Sequence, residues 1–233
     1  MTKKLREIVL DVETTGLYHN QGDRIIEVGC VELINHIPSG KTLQKYFNPT
    51  TKYVSEEALK IHNIDNDFLK KQPTFESSHK EILNFLSKDT LIIHNASFDL
   101  GFLNKELKII GVKELENPHV DTLLLARKKL GGGPMKLDSL CKRFNIDLSI
   151  RGFHGALLDA NLLVEVYIEL LGGKQSGFDF FKESKQAKNT KEANNKEKTS
   201  KKTKLIRASD EEIALHKKFV KSIKEPIWKK FNY

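Results

Sequence analysis

Asp11 and Glu13 close a short apolar run, Ile8-Val9-Leu10, just ahead of Thr14-Thr15-Gly16. A β-branched run of this length reads as a buried strand, and side chains two apart on a strand share a face, about 6.6 Å apart along it. Two carboxylates aimed into one space repel and desolvate each other, a cost that a divalent cation offsets. An isolated Asp-x-Glu with one acid turned to solvent carries no such meaning, so the pair needs partners. His94-Asn95-Ala96-Ser97-Phe98-Asp99 follows the apolar Leu91-Ile92-Ile93, which puts Asp99 at or just past a strand end, where helix starts present side chains to a cleft. As a purely structural residue, Asp99 would favour the first helical turn. The third place is Arg151-Gly152-Phe153-His154-Gly155-Ala156-Leu157-Leu158-Asp159. Five helical positions rotate by about 500°, so His154 and Asp159 converge only if His154 stands on a loop and Asp159 on the first turns of the helix. Gly152 and Gly155 suit that loop. The plain alternative is an ordinary loop histidine beside a helix-exposed acid.

The elements that must position these groups alternate along the first part of the chain. Strands are expected over 6–12, 24–34, 42–48, 90–94 and 118–121, and helices over 55–60, 75–87, 98–110, 121–130, 136–144 and 155–171. Three strands in close succession favour antiparallel pairing, and strands separated by helices favour parallel pairing. The expectation is an α/β fold with a mixed five-stranded sheet flanked by helices. Gly131-Gly132-Gly133-Pro134 separates two helices, while Asp121 and Asp138 are explained as charges near helix starts.

The chain has 233 residues and a formal net charge of +8. Residues 1–171 hold 22 Lys and Arg against 23 Asp and Glu, so the excess lies in residues 172–233, with 17 against 8. The first part must therefore meet a polyanion through local groups or metal ions rather than a global field. No run approaches the roughly 20 apolar residues of a membrane span, and the start, Met1-Thr2-Lys3-Lys4, lacks a signal-peptide core. A cytoplasmic location with no membrane partner is expected. Cys30 and Cys141 are too few for a disulfide framework or a cysteine-rich zinc site.

Taken together and in this order, Asp11-x-Glu13, Asp99 and His154-x-x-x-x-Asp159 resemble the motifs of the DEDDh superfamily of 3′-to-5′ exonucleases, which has a ribonuclease-H-like fold. Within it the chain is similar to the proofreading epsilon subunits of bacterial DNA polymerase III, from about residue 6 to residue 171 and more loosely in the C-terminal tail. The resemblance implies removal of mispaired 3′-terminal nucleotides from DNA with two divalent cations, Mg²⁺ or Mn²⁺. Asp11, Glu13, Asp99 and Asp159 would be the metal ligands, with Asp11 bridging, Glu13 and Asp159 completing one site, and Asp99 supporting the other. His154, of a type whose ordinary pKa is about 6.5, would take the proton from the attacking water. Thr14, Glu57, His62 and Phe98 match positions near the terminal nucleotide, and Asn95 would line the site. Asn63 stands where the family usually has glycine, and Asn tolerates the left-handed turn required there. An RNA-trimming exonuclease of the same superfamily and a non-catalytic scaffold joining clamp and polymerase are the alternatives.

After the domain, expected to span 1–173, the sequence changes character. Residues 182–204 carry nine Lys against three Glu and almost no large apolar side chain, a composition that favours a disordered linker, placed at 174–206. Gln175-Ser-Gly-Phe178-Asp-Phe180 resembles the sliding-clamp-binding motif of bacterial replication proteins. Ser209-Asp-Glu-Glu212 has the spacing of a capping box, followed by Ile213, Leu215, Phe219, Val220 and Ile223. The tail, 207–233, resembles the region by which epsilon subunits hold the polymerase catalytic (alpha) subunit.

Overall fold

The computed structural model describes residues 4–149, 152–173 and 209–222. The candidate clamp residues Gln175, Phe178 and Phe180, the Lys-rich linker and Arg151 lie outside the described residues. The chain divides into two units, Met1–Lys182 and Glu183–Tyr233.

The first unit holds strands β1 (Arg6–Thr14), β2 (Ile25–Ile34), β3 (Ile37–Tyr46), β4 (Thr90–Ile93) and β5 (His119–Asp121). They form one sheet in the order β3-β2-β1-β4-β5, antiparallel across β1–β2 and β2–β3 and parallel across β1–β4 and β4–β5. The helices are α1 (Glu56–His62), α2 (Asn66–Leu69), α3 (Phe75–Leu86), α4 (Ala96–Ile109), α5 (Thr122–Leu130), α6 (Leu137–Arg143) and α7 (Ala156–Leu171), with a 3₁₀ turn at His19–Gln21.

Period-two alternation sorts β1 onto two faces. Ile8, Leu10 and Val12 pack in a core with Phe75, Ile82 and Leu86 of α3 and Phe102, Leu103 and Leu107 of α4. Val9 packs on the other face with Ala160, Leu163 and Tyr167 of α7, and the carboxylate of Glu7 accepts a hydrogen bond from the Tyr167 hydroxyl at 2.8 Å. Asp11 and Glu13 continue that odd-numbered series and so lie on the α7 face. Parallel pairing runs from Glu7–Thr90 to Val9–Ile92 and β4 ends at Ile93, so Asp11 to Glu13 project beyond the carboxyl end of β4. A cleft opens there, and the start of α4 enters it.

Two differences from the expected elements have local causes. Strand β3 begins at Ile37 rather than 42 because Asn35 and His36, at φ 53° and 64°, form a two-residue left-handed turn that keeps the hairpin paired from its first residue. Helix α2 was not anticipated; its single turn is set by Asp65, whose side chain accepts from Phe68 N at 2.7 Å. At the end of α1, Asn63 adopts φ 55° and its N–H donates to Leu59 O, the left-handed conformation expected of the residue in the usual glycine position.

In the second unit, α8 (Asp210–Ser222) opens on a complete capping box: Ser209 Oγ accepts from Glu212 N at 3.2 Å, and Ser209 N donates to Glu212 Oε2 at 2.8 Å. Ile213, Leu215 and Phe219 are exposed on it. Among the described residues no helix is long and apolar enough to cross a membrane.

Candidate active site

Three elements deliver the acids to one place. Strand β1 supplies Asp11 and Glu13, the first turn of α4 supplies Asp99, and the first turns of α7 supply Asp159. Asp99 and Asp159 are buried, whereas Asp11 and Glu13 are half-buried. Asp99 Oδ1 accepts from the backbone N–H of Val12 at 3.1 Å, which fixes α4 beside the acid-bearing end of β1. His154 stands on the loop before α7, its N–H donating to Ile61 O at 3.1 Å and its Nδ1 lying 3.1 Å from Asp159 Oδ2.

The start of α7 is held against the sheet by two residues that the sequence reading passed over. Gly29, opposite Asp11 in the β1–β2 register, lies so close to the helix that a Cβ there would meet the backbone of Ala156 and Leu157 at 2.2 Å. Glu27, opposite Glu13, is fully buried; its Oε2 accepts from Ala156 N at 3.1 Å and its Oε1 from Gln44 Nε2 at 2.7 Å. Like charges directly across a strand pair oppose each other, and the amino end of a helix is a place that tolerates the second one. The clue was an acid in the otherwise apolar Ile25-Ile26-Glu27-Val28.

The electrostatics are those of crowded carboxylates. Burial, reinforced by Asp99, Glu13, Asp159 and Glu27 in that order, pushes the Asp11 carboxyl well above its ordinary range. Burial likewise raises Asp99 to about 8, against the opposing effect of its backbone hydrogen bonds, with a further upward push from Asp121. Both acids are therefore costly to ionise without a cation, and a hard dication with a preference for oxygen ligands fits the set. The tightest convergence among the described residues is Glu13, His154 and Asp159, each offering a ligand atom within 4.8 Å of the others. The grouping differs from a cage of four carboxylates, because it includes the histidine.

A cavity of about 560 Å³ adjoins the acids, and Thr14, Glu57, His62 and Phe98 all line it. Burial lowers the His62 pKa; its Nδ1 accepts from Ile64 N at 3.0 Å, so Nε2 bears the proton, facing the Thr14 carbonyl without a well-formed hydrogen bond. Leu17 and Tyr18 also line the cavity, although both are exposed. Large apolar side chains in the loop directly after Thr14-Thr15-Gly16 were the available signal for them. Asn95 is not part of this cavity and lines a separate pocket instead. Its left-handed backbone, φ 69°, turns the chain into α4, and Asp121 bridges there: it accepts from Asn95 N and Ala96 N while capping α5 through Leu123 N at 2.8 Å. Asp121 thus ties two helix starts together.

Residues 8–167 match the family model described as Exonuclease. Over 226 residues the chain is 45% identical to the DNA polymerase III subunit epsilon of Rickettsia felis, covering 94% of this chain and 97% of that one. It is 37% identical over 221 residues to the DNA polymerase III subunit epsilon of Escherichia coli K12, covering 91% and 90%. The chain belongs to the epsilon branch of this exonuclease family. Its fold is shared with the nuclease domain of 3′hExo, a DEDDh family member bound to rAMP, at a TM-score of 0.64 and 18% identity over 73% of this chain and 93% of that one. It is shared too with Exonuclease X, solved with 5′ overhanging duplex DNA, at a TM-score of 0.57 and 24% identity over 71% and 90%. These likenesses establish the ribonuclease-H-like fold of the exonuclease family for residues that carry very different sequences.

Proposed function

We propose that this chain is the proofreading 3′-to-5′ exonuclease of a bacterial replicative polymerase, removing mispaired 3′-terminal deoxynucleotides by hydrolysis of the last phosphodiester. The observation that carries this reading is the convergence of Asp11, Glu13, Asp99 and Asp159 with His154 at the mouth of a nucleotide-sized cavity. Asp11, Glu13, Asp99 and Asp159 would hold two divalent cations, Mg²⁺ or Mn²⁺. When bound, such ions make a water nucleophilic near neutral pH and stabilise the leaving 3′-oxygen.

The protein's own groups do the rest. With its Nδ1 given to Asp159, His154 presents Nε2 as the atom that takes the proton of the attacking water. Phe98, Leu17 and Ile61 give the cavity an apolar lining that accepts the face of any base, and Glu57 and Thr14 supply polar edges for the terminal sugar. The test is digestion of 5′-labelled primers with Mg²⁺ or Mn²⁺, comparing a paired with a mispaired 3′ end and a DNA with an RNA strand. Products shortened from the 3′ end, formed faster from the mispaired DNA, are expected; internal cuts or preferred trimming of RNA would contradict the reading.

The C-terminal unit is proposed to tether the nuclease. Exposed Ile213, Leu215 and Phe219 on α8 suit a partner surface, so residues 207–233 would engage the polymerase alpha subunit in the cytoplasm, and Gln175, Phe178 and Phe180 the sliding clamp. Removing 207–233 is expected to leave hydrolysis of single strands intact while eliminating co-purification with alpha. Alanine at Phe178 and Phe180 should weaken clamp capture alone. Undiminished capture in either case refutes that assignment.

A further inference from the structure

The near-neutral charge of residues 1–171 conceals a sharp division. Between Thr122 and Arg143, helices α5 and α6 and the turn joining them carry Arg127, Lys128, Lys129, Lys136, Lys142 and Arg143 against a single acid, Asp138. The remainder of residues 1–171 is left with 16 Lys and Arg against 22 Asp and Glu. Attraction for a polyanion is thus concentrated on one stretch of a unit that is otherwise acidic. All six cations are exposed, and among the described residues none of them forms an ion pair.

Helix dipoles favour cations in the last turns of α5 and α6, and that local effect accounts for five of the six. It does not account for Lys136, the residue at the amino end of α6, where the same field opposes a cation. Lys136 and Arg127 line a pocket of about 410 Å³ together with His94 and Asn95. Burial lowers the pKa of His94, whose Nδ1 is bonded to Thr122 Oγ1 at 2.9 Å, so the positive charge of the pocket belongs to Arg127 and Lys136.

The position of this pocket gives it a substrate. Asn95 immediately precedes α4 and lines the pocket, whereas Phe98, in the first turn of α4, lines the 560 Å³ cavity. The two spaces flank one helical turn, and Asp99 stands on that turn. A strand whose last nucleotide occupies the cavity has to continue away from the acids, and the basic pocket is the complementary surface next to them. We infer that Arg127 and Lys136, backed by the other cations of α5 and α6, hold the phosphodiester backbone of the substrate strand on the 5′ side of the nucleotide being removed. Backbone contacts carry no sequence information, which suits an enzyme that must retreat along any sequence.

The inference rests on the exonuclease reading, and the test separates the two. The full chain and its Arg127→Ala/Lys136→Ala variant are compared on a long single strand and on the p-nitrophenyl ester of thymidine 5′-monophosphate, which has no upstream backbone. On the strand, kcat/KM is expected to fall about tenfold, chiefly through KM, and the slope of log kcat/KM against log salt to shrink by about 1.4, at ~0.7 for each lost phosphate contact. Hydrolysis of the ester is expected to be unchanged. Equal activity on the strand, or an equal loss on both substrates, overturns the inference. Wild-type protein that cleaves neither substrate overturns the exonuclease reading and the inference with it.

Discussion

Asp11→Asn is expected to lower exonuclease turnover by about three orders of magnitude or more, with the fold retained. The substitution keeps the shape of the side chain and removes one charge from the centre of the acid cluster. Ionised Asp11 is penalised by burial and then by Asp99, Glu13, Asp159 and Glu27, so in a chelator the neutral amide should be tolerated better than the carboxylate at pH 8. Thermal unfolding in chelator is therefore expected to rise by about 2–4 °C for ~1 kcal/mol gained in a unit of this size. A residue that served the fold would show the opposite pattern. Loss of activity together with a large drop in melting temperature, or near-normal activity with Mg²⁺, would remove Asp11 from the site. Asp159→Ala should abolish activity as well, through loss of both a candidate ligand and the group beside His154 Nδ1.

The second large effect is a reversal of the pH dependence of stability by divalent cations. Folded Asp99 keeps its proton up to about pH 8 and folded Asp11 is raised also, while in the unfolded chain both ionise near the ordinary value of 3.8. Between those limits the native state binds more protons than the unfolded state, so stability falls as pH rises, by up to about 1.4 kcal/mol per pH unit for each extra proton bound. Other carboxylates act at the acid end. Burial works to raise the Glu32 pKa, but the bonds from Ser39 and Arg6 outweigh it and hold the pKa below ordinary, so that contribution is lost only as the solution becomes strongly acidic. Burial lowers the pKa of His62 and His94 below the ordinary 6.5, so below about pH 6.5 these two add stability as pH rises and oppose the acids, and the decline in chelator is expected from about pH 6.5 to pH 8. Millimolar Mg²⁺ should flatten or invert that slope, because a cation that binds only the native, ionised site adds stability where the protons leave. A rise from pH 6.5 to pH 8 in chelator, or no response to Mg²⁺, would contradict these electrostatics of the site.

The sequence made some of this site legible and concealed the rest for identifiable reasons. The alternation of β1 put Asp11 and Glu13 on one face, and the glycines around His154 allowed the loop that lets it meet Asp159; both are local rules that the structure obeys. The mixed pairing of the sheet followed from the spacing of its strands. What stayed hidden depends on contacts between distant segments. Glu27 is an acid in a strand until Ala156, 129 residues away, is seen to donate to it. Gly29 is one small residue among many until the backbone of α7 is found where its Cβ would be. Asn95, expected to line the nucleotide site, adopts a left-handed turn at the start of α4 and lines a separate pocket. Charge was misleading at the scale on which it was read. Residues 1–171 are nearly neutral as a whole, and only the positions of α5 and α6 reveal that the neutrality is a sum of an acidic body and a basic edge.

The metal site is tested most directly by the number of Mn²⁺ ions bound, counted by electron paramagnetic resonance in the presence of a deoxynucleoside 5′-monophosphate, for the wild-type chain and for Asp11→Asn and Asp159→Ala. Two ions are expected in the wild type, coupled to each other as a close pair, with loss of the pair in both variants. Wild-type protein that binds no Mn²⁺, or variants that retain the coupled pair, would contradict that assignment.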